Sequence, residues 1–427
     1  MSTPWRYFDA PMPVAVDLHP ECDAGGWHVA IEGFVPDDVT NVVVWDGPAW
    51  DSATEFWVAG DWWADVVGDL MGMQHTAGRQ EIDGYHEASE VTMTLDNSSG
   101  RYTQFQSVGG VVSADQFFPG RRIAVWCDVL DDHPQHGAGV YAQPRFYGRI
   151  EEWDENLVTP EGFPPHIAVR AVDGFVQLNT ALDATEWKMG AEADLPNRRL
   201  STMLDLAGWP TTERRRLDAG TLTLRSLVSV NSILEEMHHT ADSDGGVVYI
   251  DTDGSFMYRD RDWRLGRDDQ VNSWNFDDNC GDYSWEFSSG DPVVNTADVV
   301  NLVHMENVDR LKVDAQDVAS LAKYGKHPFS KDGMLWRHQA DAATLAQHIL
   351  TQRADLYWRF TQLDLYPSES NDLLRLVTSL RIGDTMNVSR TMRPGQQLNL
   401  VCLVEGWTMN LLPGGFPTFN VYLSKSR

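Results

Sequence analysis

Val91-Thr-Met-Thr-Leu-Asp-Asn-Ser-Ser-Gly-Arg-Tyr102 is the stretch on which the reading of the fold turns. Val91, Met93 and Leu95 alternate with Thr92 and Thr94, the two-residue period of a strand with one buried face. Asp96, Asn97 and Gly100 then supply residues that tolerate positive φ, as a tight turn requires. Downstream, Phe118-Pro-Gly120 reads as a second turn, leading into a strand whose one face is Ile123, Val125 and Cys127. Asp131-Asp-His-Pro-Gln-His-Gly137 reads as a hairpin tip. Phe146-Tyr-Gly-Arg-Ile-Glu-Glu-Trp153 and the strand at 166–172 complete a meander. Strands at this spacing predict a small antiparallel barrel or sandwich over residues 85–175.

Upstream, residues 1–84 form a Trp-rich β segment joined to that domain. Trp27-His-Val-Ala-Ile31 and Val42-Val-Val-Trp45 read as strands, and Asp46-Gly-Pro48 as a turn. Residues 61–73 carry Trp62, Trp63, Val66, Val67 and Leu70, a spacing that fits a short helix or a bulged strand equally well.

The pattern changes at Asp173-Gly174, and residues 176–290 read as an inserted α/β module. Phe175, Leu178 and Leu182 have helical spacing. Leu200-Ser-Thr-Met-Leu-Asp-Leu-Ala-Gly-Trp-Pro210 predicts a helix stopping at Gly208. A third helix is expected from Asn231 as N-cap, with Ile233, Leu234 and Met237 inward. Val247-Val-Tyr-Ile250 and Ser255-Phe-Met-Tyr-Arg259 form a hairpin across Asp251-Thr-Asp-Gly254.

Residues 291–427 return to β. Strands are expected at 299–304, 363–366, around Val377, at 385–388, 398–404 and 416–423, with one amphipathic helix at 341–353. Leu380-Arg-Ile-Gly-Asp-Thr-Met-Asn-Val388 echoes the turn-then-strand pattern of the first domain. The fold class is therefore mainly β: two antiparallel barrel or sandwich domains, each with a helix, and an α+β insertion.

The 427 residues carry 63 acidic against 33 basic groups, a net charge of −30. Such a surface repels nucleic acid and anionic membranes. The four cysteines, Cys22, Cys127, Cys280 and Cys402, are isolated and read as small buried apolar residues. No signal peptide or membrane anchor is expected.

The chemical signatures fail. His86-Glu-Ala-Ser-Glu90 breaks the zinc-protease pattern, and the P-loop and nucleophile-elbow patterns do not occur. Adjacent His238 and His239 would diverge by about 100° on a helix, a poor metal pair. Asp242-Ser-Asp-Gly-Gly246 and Asp251-Thr-Asp-Gly254 resemble fragments of a calcium loop, but β-turns account for both. Glu151-Glu152, Asp37-Asp38 and Glu235-Glu236 are the adjacent acids a glycosidase reading would use. Trp45, Trp50, Trp57, Trp62 and Trp63 could stack on sugars, or pack in cores and subunit interfaces. No catalytic residue, metal or cofactor is assigned.

The order of these elements resembles the tail-hub (baseplate hub) proteins of tailed bacteriophages, of the kind called minor tail proteins in siphophages of actinobacteria. The resemblance rests on Leu95, Asp96, Asn97 and Gly100; Pro119 and Gly120; Gly148 in Tyr-Gly-Arg; Asp173 and Gly174; Gly208; Asp253 and Gly254; and Gly383 and Asp384. It covers most of residues 85–427, and these positions are structural rather than catalytic. It implies a non-enzymatic virion protein at the tail tip, made in the bacterial host cytoplasm. Two tail-tube-like domains per chain, in a homotrimer, would join a six-fold tube to a three-fold tip. The ring would enclose a channel for DNA ejection during host cell entry, with roughly −90 charges in three copies repelling phosphate. Implied partners are the chain itself, distal tail or tail-tube proteins, other tail-tip or fibre proteins and the tape-measure protein, with DNA passing unbound. A carbohydrate- or receptor-binding module, or a cell-wall-degrading tail-tip enzyme, is the alternative.

Overall fold

The computed structural model describes residues 27–32, 42–43, 63–79, 84–100, 102, 107–108, 111–112, 119–131, 139–156, 164–179, 187–189, 194–209, 215–229, 232–265, 273–277, 290–367, 371–392, 395–412 and 417–425. The turn at 46–48, the hairpin tip at 132–137, Phe118, Leu182, Asn231, Cys22, Cys280 and four of the five clustered tryptophans (Trp45, Trp50, Trp57, Trp62) lie outside them.

Among the described residues, a curled, almost wholly antiparallel sheet of 13 strands dominates. The meander forms as its alternation predicts. His166–Val172 lies between Glu87–Asp96 and Gly139–Asn156, with Val169 opposite Met93 on one side and Trp153 on the other. Arg122–Asp131 follows, then Trp27–Glu32. Within the ambiguous stretch at 61–73, the described residues 63–73 form strand, a 3₁₀ turn and strand, with no α-helix among them. Trp63–Asp65 and Leu70–Gly78 are strands separated by the 3₁₀ turn Val67–Asp69.

The two β regions are hydrogen-bonded to each other within this one sheet. The long strand Gln396–Leu411 pairs with Thr385–Met392 through its first half and with Leu70–Gly78 through its second, while Thr418–Lys425 pairs on its other side. A bulge at Glu405 marks the switch.

Two apolar cores lie against this sheet. The first combines residues of both β regions: Val91, Met93, Leu95, Ile167 and Val169 with Leu363, Val388, Trp407, Phe419 and Val421. The second joins residues from 175–258 to residues from 300–350. Strand Arg122–Asp131 serves both. Ile123 and Val125 face the first core, and Ala124 and Trp126 the second. Burial on both faces makes this strand read as an unbroken apolar run.

The second core holds two three-stranded sheets. In one, Phe256–Arg259 pairs antiparallel with Val247–Ile250 and parallel with Arg215–Leu217. In the other, Leu302–Asn307 lies between Lys312–Gln316 and Pro328–Met334. Sequence periodicity puts Ala342, Leu345, Ala346, Ile349 and Leu350 on the inward face of helix Gln339–Arg353; it packs on the latter sheet with all of these buried except Ile349, which is half-buried.

Four local expectations need correction. The segment around Val377 is helix Asn371–Ser379, not strand: Leu373, Leu376, Val377 and Leu380 recur at helical spacing and are buried together. The third helix, Ile233–Asp244, is capped by Ser232 rather than Asn231; its side chain accepts from the Glu235 amide at 3.2 Å. Residues 242–246 form that helix's end, with Gly245 left-handed at φ 75°, rather than a β-turn. The strand expected at 299–304 begins at Leu302.

Candidate functional site

The meander, the α/β module and the C-terminal strands meet around one buried cation, Arg145. It is the extra residue of a bulge in Gly139–Asn156, where Val125 pairs with Phe146 but Trp126 pairs with Pro144. The bulge aims its side chain into the protein, leaving it 1% exposed. Nη1 donates to the carbonyls of Thr378 (2.9 Å) and Leu380 (2.7 Å), at the end of helix Asn371–Ser379. Those carbonyls have no partner within the helix, and the negative end of its dipole favours a cation there. The guanidinium carbon also stands 4.5 Å from the Trp407 ring centre. Burial pulls the Arg145 pKa down to about 10, which leaves it charged at neutral pH. The adjacent His75 is buried, and burial together with the Arg145 charge pushes its pKa down to about 3, so it is neutral.

Two turns close over this centre. Asp251, in the first, is buried and lies 3.1 Å from Arg216 Nη1 and 3.8 Å from Arg381 Nη1. Its carboxyl is pushed up by burial and then by the neighbouring Asp253. Asp253 takes Arg216 Nη2 at 2.7 Å and the Ser255 amide at 2.9 Å. Gly254, at φ 80°, lets the turn sit on the Tyr147 ring, where a Cβ would come within 2.6 Å of Cδ1. In the second turn, Asp384 accepts from the Arg381 amide at 2.9 Å. Gly383, at φ 89°, lies against Trp263, where a Cβ would collide with the indole at Cζ2. Both glycines are thus seats for aromatic rings from distant segments.

Of the other motif positions, Asp173 also lies beside Arg145 and Asp251, and the rest make local contacts. Leu95 is fully buried in the first core. Asp96 accepts from the Ser98 amide at 2.8 Å, and its hydrogen bonds from Ser98 hold its pKa below the usual value. Asn97 Oδ1 accepts from the Tyr102 amide at 2.9 Å, and Gly100 closes that turn. Pro119 and Gly120 form an exposed turn, with the Gly120 amide bonded to Ile150 O. Gly148 presses against Val172 O, Gly174 against the Trp209 indole, and Gly208 ends helix Pro196–Leu206. Asp173 accepts from the amides of Ser89 (2.7 Å) and Phe175 (2.9 Å), yet complete burial pushes its pKa up to about 7. The structure therefore brings Asp253, Gly254, Gly383 and Asp384 to one junction, and leaves the turn at 95–100 and that at 119–120 apart from it.

Sequence reading missed Arg145 and the bulge residue Glu405, and took Asp251 only as a turn residue. Glu405 accepts from Arg79 Nε at 2.9 Å and from Ser424 Oγ at 2.6 Å, all in the interior. Its only sequence signal is a lone acid within the apolar run of 400–404 and 407.

Asp37 and Asp38 lie outside the described residues, and most of the described residues weighed for chemistry are engaged in structural contacts. Arg170 gathers Glu90, Glu151 and Glu152. His239 faces Glu236 and Gly333 O, while His238 packs on Tyr85 and Phe175, so the two rings diverge. Asp242 takes Tyr85 and Lys331, and Asp244 takes Tyr258 and Thr221. Among the described residues, no group of three or more His, Cys, Asp or Glu is placed to hold a metal ion. Also among them, no helix is long and apolar enough to cross a membrane.

No family model matches the chain, and no curated protein matches it by sequence. Solved structures do match. The tail protein from Neisseria meningitidis MC58 superposes with a TM-score of 0.55 at 10% identity, covering 94% of this chain and 96% of its own. The 43 kDa tail protein of prophage MuSo2 from Shewanella oneidensis superposes with a TM-score of 0.51 at 11% identity, covering 85% and 95%. At these identities the likeness is one of fold, and this chain has the fold of those two tail proteins over nearly its whole described length.

Proposed function

We propose that the chain is a structural component of a phage-type tail and serves there as the non-enzymatic hub of the tail tip. The observation that carries this reading is the likeness in fold to a tail protein across 94% of the chain. The clamped junction supports it, because a chain that transmits load between neighbours needs its blocks held in fixed relation. Arg145, Asp251 and Gly383 bind meander, module and C-terminal strands together.

In this reading residues 85–175 and 291–427 supply two tube-like domains, residues 1–84 extend the first, and 176–290 are inserted between them. Three copies form a ring joining a six-fold tube to a three-fold tip. The net charge of −30 per chain lets DNA pass without binding phosphate. Partners are the tube or distal tail proteins on one side, tip or fibre proteins on the other, and the tape-measure protein within.

Light scattering on the purified chain, with cryo-electron microscopy of any ring, tests the proposal. A three-fold ring with an open acidic channel supports it. A monomer that binds or cleaves cell-wall glycans overturns it in favour of a receptor-binding or lytic tip protein.

A further inference from the structure

Independently of that reading, the second core carries a cavity of about 180 Å³. It opens between helix Ile233–Asp244, strand Pro328–Met334 and helix Gln339–Arg353, beside the exposed Tyr85. Its floor is apolar, formed by Val247, Val248, Met305, Phe329, Leu345 and Ile349. A dry apolar cavity of about 150 Å³ already accepts a benzene ring, so this one has room for a phenyl- or leucyl-sized group.

The polar wall has a distinct sign. Three cations line it, Arg79, Lys331 and Arg353, against one acid, Asp242, in a chain that carries −30 overall. Lys331 Nζ is 2.5 Å from Asp242 and 5.7 Å from the Tyr85 ring centre, and the Tyr85 hydroxyl donates to the same carboxylate. These contacts hold the rim in place. Arg79 spends Nε on Glu405 and Nη1 on Gly84 O, while its Nη2 is buried without an acceptor. His238 is kept neutral by burial and adds no charge. An apolar floor under a cationic rim selects an amphiphilic anion.

We propose that this cavity binds a carboxylate carried on an apolar group, its body against Phe329, Leu345 and Ile349 and its head at the Lys331–Arg353 rim. The same chemistry is presented by the C-terminal residue of a polypeptide and by a free small acid.

Isothermal titration of the full chain with N-acetyl-phenylalanine and with its primary amide tests the site. The acid is expected to bind, and the amide about tenfold more weakly. Lys331→Gln, at a partly exposed position, should lower the acid to the level of the amide and leave the amide unchanged. Ile349→Trp, at a half-buried position, should fill the cavity and abolish both. Absence of binding by the acid, equal binding of acid and amide, or binding that survives Ile349→Trp in a folded protein overturns the proposal. A free-acid tetrapeptide Ala-Ala-Ala-Phe separates the sources. Tighter binding than N-acetyl-phenylalanine identifies a chain terminus, equal binding a free small acid, and both support the cavity as the site.

Discussion

The guanidinium of Arg145 stands 4.5 Å over the indole of Trp407, joining two strands far apart in the chain. The same side chain holds the carbonyls of Thr378 and Leu380. Arg145→Met keeps the volume but removes both charge-assisted bonds from the interior. We expect a loss of ~2–4 kcal/mol, read as a lower urea midpoint at unchanged slope. A midpoint within error of wild type would remove Arg145 from its clamping role.

Gly383 and Gly120 form a matched pair for testing the aromatic seat. Both have positive φ, 89° and 97°, but only Gly383 has a neighbour where a Cβ would lie. Gly120→Ala should cost ~1 kcal/mol, from backbone strain alone. Gly383→Ala adds a collision with Trp263 and should cost more than ~3 kcal/mol, seen as a much larger fall in melting temperature. Equal falls would mean that the Trp263 contact contributes nothing.

Glu405 balances Arg79 inside the protein. Glu405→Gln leaves that guanidinium buried without its counter-charge, for an expected loss of ~3–5 kcal/mol. Equilibrium unfolding at neutral pH measures it, and a loss below ~1 kcal/mol would show that Arg79 finds other compensation.

Asp173 gives the stability a pH dependence of defined sign. Its pKa is about 7 folded, raised by burial from 3.8. The folded state therefore binds more protons than the unfolded chain between these values. This contribution is fully present below about pH 4 and is lost as pH rises towards 7. Asp173→Asn stays neutral throughout and loses one of the two amide bonds, so its stability relative to wild type should start lower and rise by ~2–4 kcal/mol from about pH 4 to about pH 7. Parallel stability curves for the two proteins would contradict the shift.

The parts of the fold that were legible in sequence are those ruled by local period. Val91, Met93 and Leu95 declare a half-buried strand, and Ala342, Leu345, Ala346 and Leu350 declare a helix face. Leu373, Leu374, Leu376 and Val377 do not, because so dense an apolar cluster satisfies either period until its neighbours are known. Ser232 displaced Asn231 as cap by one position, within the range over which helix ends are ambiguous. The junction was only half legible. Gly254 and Gly383 stood out in sequence as turn residues, but Tyr147 and Trp263, the rings they accommodate, lie more than a hundred residues away in the chain. Arg145 was invisible for the same reason: its acceptors at 378 and 380 are more than two hundred residues on.

The long strand Gln396–Leu411 also sets a clock on the birth of the protein. Leu70–Gly78 is synthesised more than three hundred residues before residues 406–411, which pair with one of its edges. At ~5–20 residues per second, that edge waits on the order of tens of seconds for its partner. Through that interval a nascent chain carries an unpaired strand, the template on which polypeptides cross-associate. The sheet is thus closed across a gap of more than three hundred residues between the two paired strands, and crowded polysomes are where this protein is most exposed to misassembly.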